Sequence, residues 1–176
     1  MITYSLSQSQ EELEQILSLQ QANLGEQLSI QEKQQEGFVT VKHTLEMLKK
    51  LNQVCPHIIA KWEGRVIGYA LCMHPKFEKQ IEILRPMFDE IQKKISTEED
   101  YLVMGQICVD KRFRKQGVFR KLYTAMKEEY LPPYSQIITE VDTKNIRSLK
   151  AHYAVGFQKL SSYASGGQDW EVIFLK

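Results

Sequence analysis

The sequence predicts an α/β (α+β) fold: a mixed, mostly antiparallel central sheet of about six to seven strands, flanked by helices on both faces. Strand-like and helix-like segments follow one another in the order β-α-α-β-β-α-β-α-β-α-β-β. Tight turns at Glu63-Gly64 and Gly166-Gly167 close hairpins of antiparallel strands, whereas helices between the other strands permit crossovers. The chain has 176 residues, which fits a single domain, 1–176, with a core of its own.

The first half of the chain is predicted to hold three strands and two helices. Residues 2–6 alternate apolar and polar side chains, as a strand does. Residues 11–20 place four aliphatic side chains at helical spacing, and Ser9 is suited to cap this helix. Thr44 can cap a second helix that runs through Leu51. Two strands follow at 57–62 and 65–73, and the polar, Gln-rich residues 25–35 are compatible with a further helix or a loop.

The second half alternates helices and strands. Residues 80–94 have the apolar spacing of a helix, despite Pro86. An apolar strand at 101–109 precedes a helix at 118–130, which Pro132-Pro133 terminate. The remaining elements are a strand at 135–141, a helix at 145–154, and a closing hairpin formed by 157–163 and 169–175.

The composition is that of an ordinary soluble protein, and it argues against several other classes. Lys and Arg number 23 against 22 Asp and Glu, so wholesale attraction to nucleic acid or a membrane is not expected. No apolar run approaches the roughly 20 residues that span a bilayer, and residues 1–7 lack the regions of a signal peptide. Cys55, Cys72 and Cys108 lack the spacing of a metal site or a disulfide framework. We therefore expect a cytoplasmic protein with free thiols and no metal.

The most informative segment is 105–120, an apolar strand followed by a short basic turn and a glycine at the mouth of a helix. A helix start leaves about four backbone N–H groups without intrahelical partners, at the positive end of the helix dipole. Gly117 lets a ligand approach this backbone closely, and neighbouring Arg and Lys side chains add positive potential. The segment therefore predicts a site for phosphate or pyrophosphate.

Two motifs, together with the order of elements, resemble the Gcn5-related N-acetyltransferase (GNAT) superfamily. Arg114-Lys115-Gln116-Gly117-Val118-Phe119 is similar to the family's pyrophosphate loop, Gln/Arg-x-x-Gly-x-Gly/Ala, except that Phe119 replaces a small residue. Asn145-Ile146-Arg147-Ser148, His152-Tyr153 and Gly156-Phe157 are similar to a family helix with Asn at its start, a small residue at plus three, Tyr at plus seven and Gly-Phe at its end. The resemblance covers residues 58–175. It implies the acyl-CoA N-acyltransferase fold and transfer of an acetyl group from acetyl-CoA to an amine.

The resemblance further implies that acetyl-CoA is held mostly by main chain. Loop N–H groups would bind the pyrophosphate, and the preceding strand would pair with the pantetheine arm as an added strand does. The residues implied to bind acetyl-CoA are Ile107, Cys108, Val109, Arg114, Lys115, Gln116, Gly117, Val118, Phe119, Asn145 and Ser148. Cys108 is not expected to act as a nucleophile, because no His-plus-acid pairing is evident near it.

Two residues compete for the role of the family's tyrosine as proton donor to the departing CoA thiolate. The plus-seven position is His152, and the tyrosine falls one residue later at Tyr153. At about 100° per residue, plus seven returns to within roughly 20° of Asn145, whereas plus eight lies about 80° away. His152 is therefore the better placed donor, and Tyr153 is the alternative. Phe119 is expected either to point away from the ligand or to narrow the site.

The general base is not evident from the sequence. Some family members carry a Glu on the strand before the loop. Counting back from Gly117 to the corresponding position of this strand gives Val103, whose side chain cannot accept a proton. Gln106 is expected on the opposite alternation to Val103 and Ile107. Glu140 and Asp142 share a face of the next strand, where Glu140 is either a base acting through water or an ordinary strand carboxylate. An amine can also lose its proton to solvent.

The expected activity is N-acetylation of a primary amine, preferably of a small molecule, by direct attack on the thioester. A protein or peptide amino group is one alternative acceptor. A non-catalytic acyl-CoA-binding module is another possibility, which the missing base and displaced tyrosine would suit. A nucleic-acid-binding domain would use the basic cluster Lys111, Arg112, Arg114, Lys115, Arg120 and Lys121, but this cluster is compact and lacks interleaved aromatic residues, which favours a CoA phosphate. We expect a monomer or a homodimer.

Overall fold

The computed structural model describes residues 1–24, 39, 41–96 and 99–176. Its strands are β1 (Ile2–Leu6), β2 (Ile58–Trp62), β3 (Arg65–Met73), β4 (Tyr101–Val109), β5 (Gln136–Asp142), β6 (Gln158–Ser165) and β7 (Gln168–Leu175). The α-helices of the described part are α1 (Gln10–Gln21), α2 (Leu45–Val54), α3 (Arg85–Lys94), α4 (Val118–Tyr130) and α5 (Ile146–Ala154). The strands form one sheet in the order β1-β2-β3-β4-β5-β7-β6, which confirms the predicted mixed sheet.

Local sequence chemistry explains where the first elements begin and turn. Ser9 and Glu12 form a capping box at α1, in which the Ser9 Oγ accepts from the Glu12 N–H and the Glu12 carboxylate accepts from the Ser9 N–H. The Thr44 Oγ1 accepts from the Met47 N–H at the start of α2. Glu63 and Gly64 have φ angles of 48° and 79°, as a tight hairpin turn between β2 and β3 requires.

The predicted helix at 80–94 is wrong over its first part, because the helix begins only at Arg85. Pro86 lies in the first turn of the helix. N–H groups in this turn have no intrahelical acceptor, so the N–H that proline lacks costs no hydrogen bond. The residues ahead of the helix form two 3₁₀ turns, Pro75–Gln80 and Glu82–Leu84. The proline therefore starts the helix instead of interrupting it. The polar segment at 25–35 lies outside the described residues, and the other predicted elements are confirmed, with ends that differ by at most three residues.

The sheet is antiparallel except between β4 and β5, which pair in parallel over three residues only. Tyr101, Leu102 and Val103 pair with Gln136, Ile137 and Ile138. Beyond Val103, β4 continues to pair with β3, and β5 continues to pair with β7. The two strands therefore part in the middle of the sheet, and their facing edges are left open to a ligand.

A β-bulge in β4 lies at the point where the strands part. Leu71 pairs with Gln106 and Cys72 pairs with Met104, so Gly105 is the extra residue. The bulge shifts the alternation of all later residues of β4. The expectation that Gln106 lies on the opposite face to Val103 is therefore wrong: both face the same side of the sheet, and Ile107 faces the other side.

Helices cover both faces of the sheet. On one face, α4 supplies Val118, Leu122 and Met126 to a core with β2 to β5. On the other face, α1 and α2 pack on Tyr69 and Leu71 of β3, and α3 packs in a neighbouring cluster with Met73, Val103 and Ile138. Helix α4 packs against β3 and β4, and its first residues line a cleft beside residues 107–109 of β4.

No helix in the described part of the chain is both long enough and apolar enough to cross a membrane. Among the same residues, no group of three or more His, Cys, Asp and Glu side chains is arranged to hold a metal ion.

The burial of His57 should make the stability of the folded protein depend on pH. His57 is fully buried, its Nδ1 accepts from the Cys72 N–H, and burial lowers its pKa to about 3. As pH falls below 6.5, the unfolded chain binds a proton at this residue that the folded protein does not, so folding stability decreases. His57→Asn retains an acceptor oxygen near the Nδ1 position but cannot titrate. We expect the free energy of unfolding, measured in urea between pH 6 and pH 4, to depend on pH less steeply in this variant by about 1.4 kcal/mol per pH unit.

His74→Asn is the matched control for this prediction. His74 is only partly buried, and its Nδ1 accepts from the Lys76 N–H at a 3₁₀ turn. A smaller change in slope is expected for it. Equal slopes for His57→Asn and the wild type would contradict the prediction.

Candidate functional site

A cleft opens where β4 and β5 part, between the edge of β4 and the first turns of α4 and α5. Its larger part, which we call the outer cleft, encloses about 310 Å³ and is lined by the loop at 113–120 and by residues 107–109 of β4. All the residues implied to bind acetyl-CoA line this cleft except Gln116, whose Nε2 donates to the Arg112 carbonyl. The structure thus brings the two sequence motifs together at one site.

The loop carries the backbone geometry expected of an anion site. Gly117 precedes α4 with φ 80° and ψ 2°, and Lys115 also has a positive φ of 61°. No side-chain hydrogen bond from the described residues caps this end of α4. The N–H groups of Val118, Phe119 and Arg120 belong to the first turn, ahead of the intrahelical bond from the Lys121 N–H to the Gly117 carbonyl. Several N–H groups and the positive end of the helix dipole therefore converge on the outer cleft.

The basic side chains of the loop have different roles. Arg114 donates from Nε to the Val109 carbonyl and from Nη2 to the Asn23 Oδ1 at 2.6 Å, so it fastens the loop to β4 and to the end of α1. Arg112 forms a salt bridge with Asp110. Arg120 lines the cleft and donates to the Ala154 carbonyl at the end of α5. Positive charge thus surrounds the helix start, while Arg114 also holds the loop in place.

A smaller space of about 70 Å³ adjoins the outer cleft and lies between the parted strands; we call it the inner cleft. Gly105 and Gln106 of β4 form one wall, and Thr139 and Glu140 of β5 form the other. Four described residues line both spaces, namely Val39, Ile107, Asn145 and Ser148. We call them the shared wall, since a ligand that extends from one space into the other passes them.

Asn145 and Ser148 lie in the shared wall because Asn145 caps α5. The Asn145 Oδ1 accepts from the Ser148 N–H at 3.3 Å, which is an N-cap geometry at the helix start where the family motif places Asn. The helix ends at Ala154 with Val155 as its C-cap, and the Phe157 N–H donates to the His152 carbonyl. Asn145 and Gly156-Phe157 therefore fix the two ends of one short helix beside the cleft.

His152 is buried in an aromatic cluster, with only 1% of its surface exposed. The rings of Phe119, Tyr123 and Phe157 each contact it edge to face, with centroids 5.2 to 5.5 Å away. Its Nδ1 lies 2.7 Å from the Ser148 carbonyl oxygen, and its Nε2 lies 2.8 Å from the Tyr123 hydroxyl. Burial lowers the pKa of His152 to about 4. The imidazole is therefore neutral at pH 7, which does not favour its predicted role as a proton donor.

Phe119 and His152, the two departures from the family pattern, contact each other. Their ring planes meet at 87°, the edge-to-face geometry that aromatic rings prefer. Phe119 also lines the outer cleft. Its side chain thus covers the buried histidine while its N–H remains in the first turn of α4.

Tyr153 points away from the cleft. It is 40% exposed, and its hydroxyl donates to the Glu171 carboxylate on β7. Burial and this carboxylate raise the pKa of Tyr153 to about 12. The structure therefore does not bring Tyr153 to the residues that would contact the cofactor.

Glu140 is the titratable residue of the inner cleft whose properties suit a base. Burial raises the pKa of Glu140 to about 7, although a hydrogen bond from the Tyr163 hydroxyl opposes this rise. Burial and the neighbouring Glu140 raise the pKa of Tyr163 far above 10, so the phenol keeps its proton and donates. Asp142 also lines the inner cleft, but its carboxylate accepts from the Lys144 N–H and from Gln168. A carboxyl group with a pKa near neutrality can take up a proton from an amine at pH 7.

The side chain of Cys108 packs in the hydrophobic core. It is 6% exposed, and burial raises the pKa of its thiol to about 12. Thiolate chemistry is thus disfavoured at neutral pH.

Sequence reasoning missed several residues of the site. Tyr123 and Tyr163 contact His152 and Glu140 from other elements, and Trp170 lines the inner cleft from β7. None of them belongs to a local motif. Only their spacing on helix and strand faces could have suggested that they point toward the sheet core.

Comparison with known proteins agrees with this geometry. The model of the acetyltransferase (GNAT) family matches residues 14–157. The sequence has no significant match among curated proteins.

Solved structures with the same fold cover nearly all of the chain. The ribosomal-protein-S18-alanine N-acetyltransferase of Escherichia coli is 14% identical, with a TM-score of 0.65, over 99% of this chain and 93% of its own. Arabidopsis thaliana Naa50, in complex with the bisubstrate analogue CoA-Ac-MVNAL, is 12% identical, with a TM-score of 0.66, over 99% and 98%. YncA of Salmonella typhimurium, with its cofactor acetyl-CoA, is 13% identical, with a TM-score of 0.65, over 100% and 94%. At these identities the likeness concerns the fold.

Gly117 and Gly64 offer a matched test of the loop. Their φ angles are 80° and 79°, and a Cβ added at either would meet no atom within 4 Å. Alanine should therefore strain the backbone at both positions and destabilise each variant by about 1–2 kcal/mol. Only Gly117→Ala should weaken the binding of a pyrophosphate-bearing ligand, by about tenfold (~1.4 kcal/mol), because it disturbs the N–H groups at the start of α4. Urea unfolding and calorimetric titration with CoA measure the two effects, and equal CoA affinities in both variants would contradict the assignment.

Proposed function

Because the chain belongs to the acetyltransferase (GNAT) family, we propose that it transfers the acetyl group of acetyl-CoA to a primary amine, by direct attack of the amine on the thioester. The observation that carries this proposal is the cleft between β4 and β5, where a helix start, whose first-turn N–H groups have no intrahelical partners, adjoins a partly buried carboxyl with a pKa near 7. One part of the cleft suits the cofactor, and the other suits the acceptor.

The outer cleft would hold the phosphate-bearing part of acetyl-CoA. The N–H groups at the start of α4 would bind the pyrophosphate. The pantetheine arm would lie along residues 107–109 of β4, which bond to β3 on one side and line the cleft on the other. A backbone N–H of β4 aimed at the thioester carbonyl would polarise it.

The inner cleft would hold the acceptor amine, with Glu140 as its base. The amine must lose a proton as its nitrogen bonds to carbon, and Glu140 would accept that proton directly or through one water. Holding the amine and thioester in one narrow space supplies the proximity term of catalysis. The Tyr163 hydroxyl would orient the Glu140 carboxylate, and its hydrogen bond would prevent the pKa of Glu140 from rising further.

A small-molecule amine is our preferred acceptor, since the inner cleft is narrow. The alternative is the amino group of a protein or peptide, and the names of two structural neighbours, which refer to a ribosomal protein alanine and to a peptide-containing bisubstrate analogue, favour testing it. An amine panel that includes diamines, amino sugars and short peptides, with CoA thiol release as the readout, distinguishes the two classes. Binding of acetyl-CoA without thiol release for any amine would instead support a non-catalytic module.

Glu140→Gln should lower kcat by about 10²-fold or more, because it removes the general base. The base acts only when deprotonated, so wild-type kcat/KM should increase with pH up to about 7 and then level off with respect to this group. Glu140→Gln should lose this inflection and keep the one that belongs to the amine. Tyr163→Phe removes the hydrogen bond that lowers the pKa of Glu140, so its inflection should move to higher pH.

Glu171→Gln serves as the control for these variants. Glu171 bonds with Tyr153 and Lys159 outside the cleft, and its loss should leave the pH profile unchanged. A Glu140→Gln enzyme with wild-type kcat and profile would show that solvent takes the proton.

A further inference from the structure

We propose that Ser148 donates a hydrogen bond to the departing CoA thiolate, and that the buried His152 is the positioning residue that orients its hydroxyl. This inference rests on the proposed acetyl transfer. It gives Ser148 the role of donor to the CoA thiolate, for which the sequence indicated His152 or Tyr153.

The position of Ser148 carries the first part of the inference. The thioester must lie where cofactor and acceptor meet, which is the shared wall between the outer and inner clefts. Of the four described residues in that wall, Val39 and Ile107 are apolar, and the polar ones are Asn145, whose Oδ1 caps α5, and Ser148. Ser148 supplies the wall's hydroxyl group.

The hydrogen bonds of His152 carry the second part. A carbonyl oxygen only accepts, so the 2.7 Å contact between Nδ1 and the Ser148 carbonyl places the proton on Nδ1. The Nε2 of the neutral ring then accepts from the Tyr123 hydroxyl at 2.8 Å. The Ser148 Oγ lies 3.3 Å from the same Nδ1 and therefore accepts a weaker bond from it. The hydroxyl hydrogen of Ser148 is not used in this contact and can point into the cleft.

The neighbouring candidates are less suitable donors. The Tyr123 hydroxyl is fully buried and donates to His152. Tyr153 donates to Glu171 outside the cleft. His152 lines the inner cleft but is only 1% exposed, and its Nδ1–H is already donated to the carbonyl and hydroxyl oxygens of Ser148, so its proton acts on the thiolate through Ser148.

The chemistry of the step requires a hydrogen bond and not full protonation. The amine nitrogen attacks the carbonyl carbon, the C–N bond forms, and the C–S bond breaks with its electron pair going to sulfur. The surplus proton of the amine goes to Glu140. A thiol ionises near pH 8.5, so the thiolate can leave with one hydrogen bond from Ser148 and take a proton from water after release.

Ser148→Ala should lower kcat about 10²-fold, as the loss of one donor at a developing negative charge does. The Kd for CoA should stay within twofold of the wild type, because the N–H groups of α4 are untouched. Ser148→Thr keeps a hydroxyl and should recover most of kcat. Ser162→Ala, on the exposed part of β6, should have no effect. A Ser148→Ala kcat within threefold of the wild type would overturn the proposal, as would a loss of CoA affinity that matches the loss of kcat.

A pair of His152 variants tests the positioning role. His152→Asn keeps an N–H donor near the Nδ1 position, whereas His152→Gln keeps a polar group only near Nε2. We expect His152→Gln to lower kcat as Ser148→Ala does, His152→Asn to lower it far less, and the double variant Ser148→Ala/His152→Gln to lose no more than Ser148→Ala alone. Additive losses would show that His152 acts independently of Ser148. Thermal unfolding of each variant confirms that the compared proteins are folded.

The failure of this inference is distinguishable from that of the proposed function. Absence of thiol release by the wild type with every amine would remove the proposed function and this inference together. If the wild type turns over and the Ser148→Ala variant has an undiminished kcat, only this inference is overturned and the proposed function stands.

Discussion

The parallel contact between β4 and β5 lasts for three residues, and the site depends on how it ends. Had pairing continued, the facing N–H and C=O groups of both strands would have bonded to each other. The bulge at Gly105 turns β4 away, so those groups border a cleft instead. The same divergence brings Glu140 and the start of α5 to opposite sides of one small space. In the proposed function, cofactor and acceptor would therefore share a gap within a continuous sheet.

A second constraint is the burial of a neutral histidine beside this gap. Both ring nitrogens of His152 have partners, and three aromatic rings exclude water from it. A buried polar network of this kind is stable only in one arrangement, because each lost partner leaves an unsatisfied group. The network consequently ties α4 to α5 and fixes the first turn of α5, which carries Ser148.

Most of the fold and most residues of the outer cleft were predictable from sequence, whereas the residues proposed to carry the chemistry were not. Gly117 was found because a glycine at a helix start lets a ligand approach the backbone, and Asn145 because the family motif places Asn at the start of this helix; the structure gives Gly117 a positive φ and makes Asn145 an N-cap. The Gly105 bulge was missed because one extra residue in an apolar strand leaves the pattern nearly unchanged. Glu140 stayed ambiguous because its pKa depends on burial and on Tyr163, which lies on another strand. These features depend on contacts between elements that are distant in sequence, so no local sequence pattern predicts them.

The contact between Phe119 and His152 makes the two departures from the family pattern depend on each other. Each residue alone departs from that pattern, yet their rings pack on each other. A pattern that scores positions independently counts two mismatches, whereas in the folded protein they form one packing contact. Restoring the family residue at only one of the two positions would leave either a buried imidazole without its covering ring or a bulky ring without its partner. The two residues are therefore best exchanged together, although they lie on different helices.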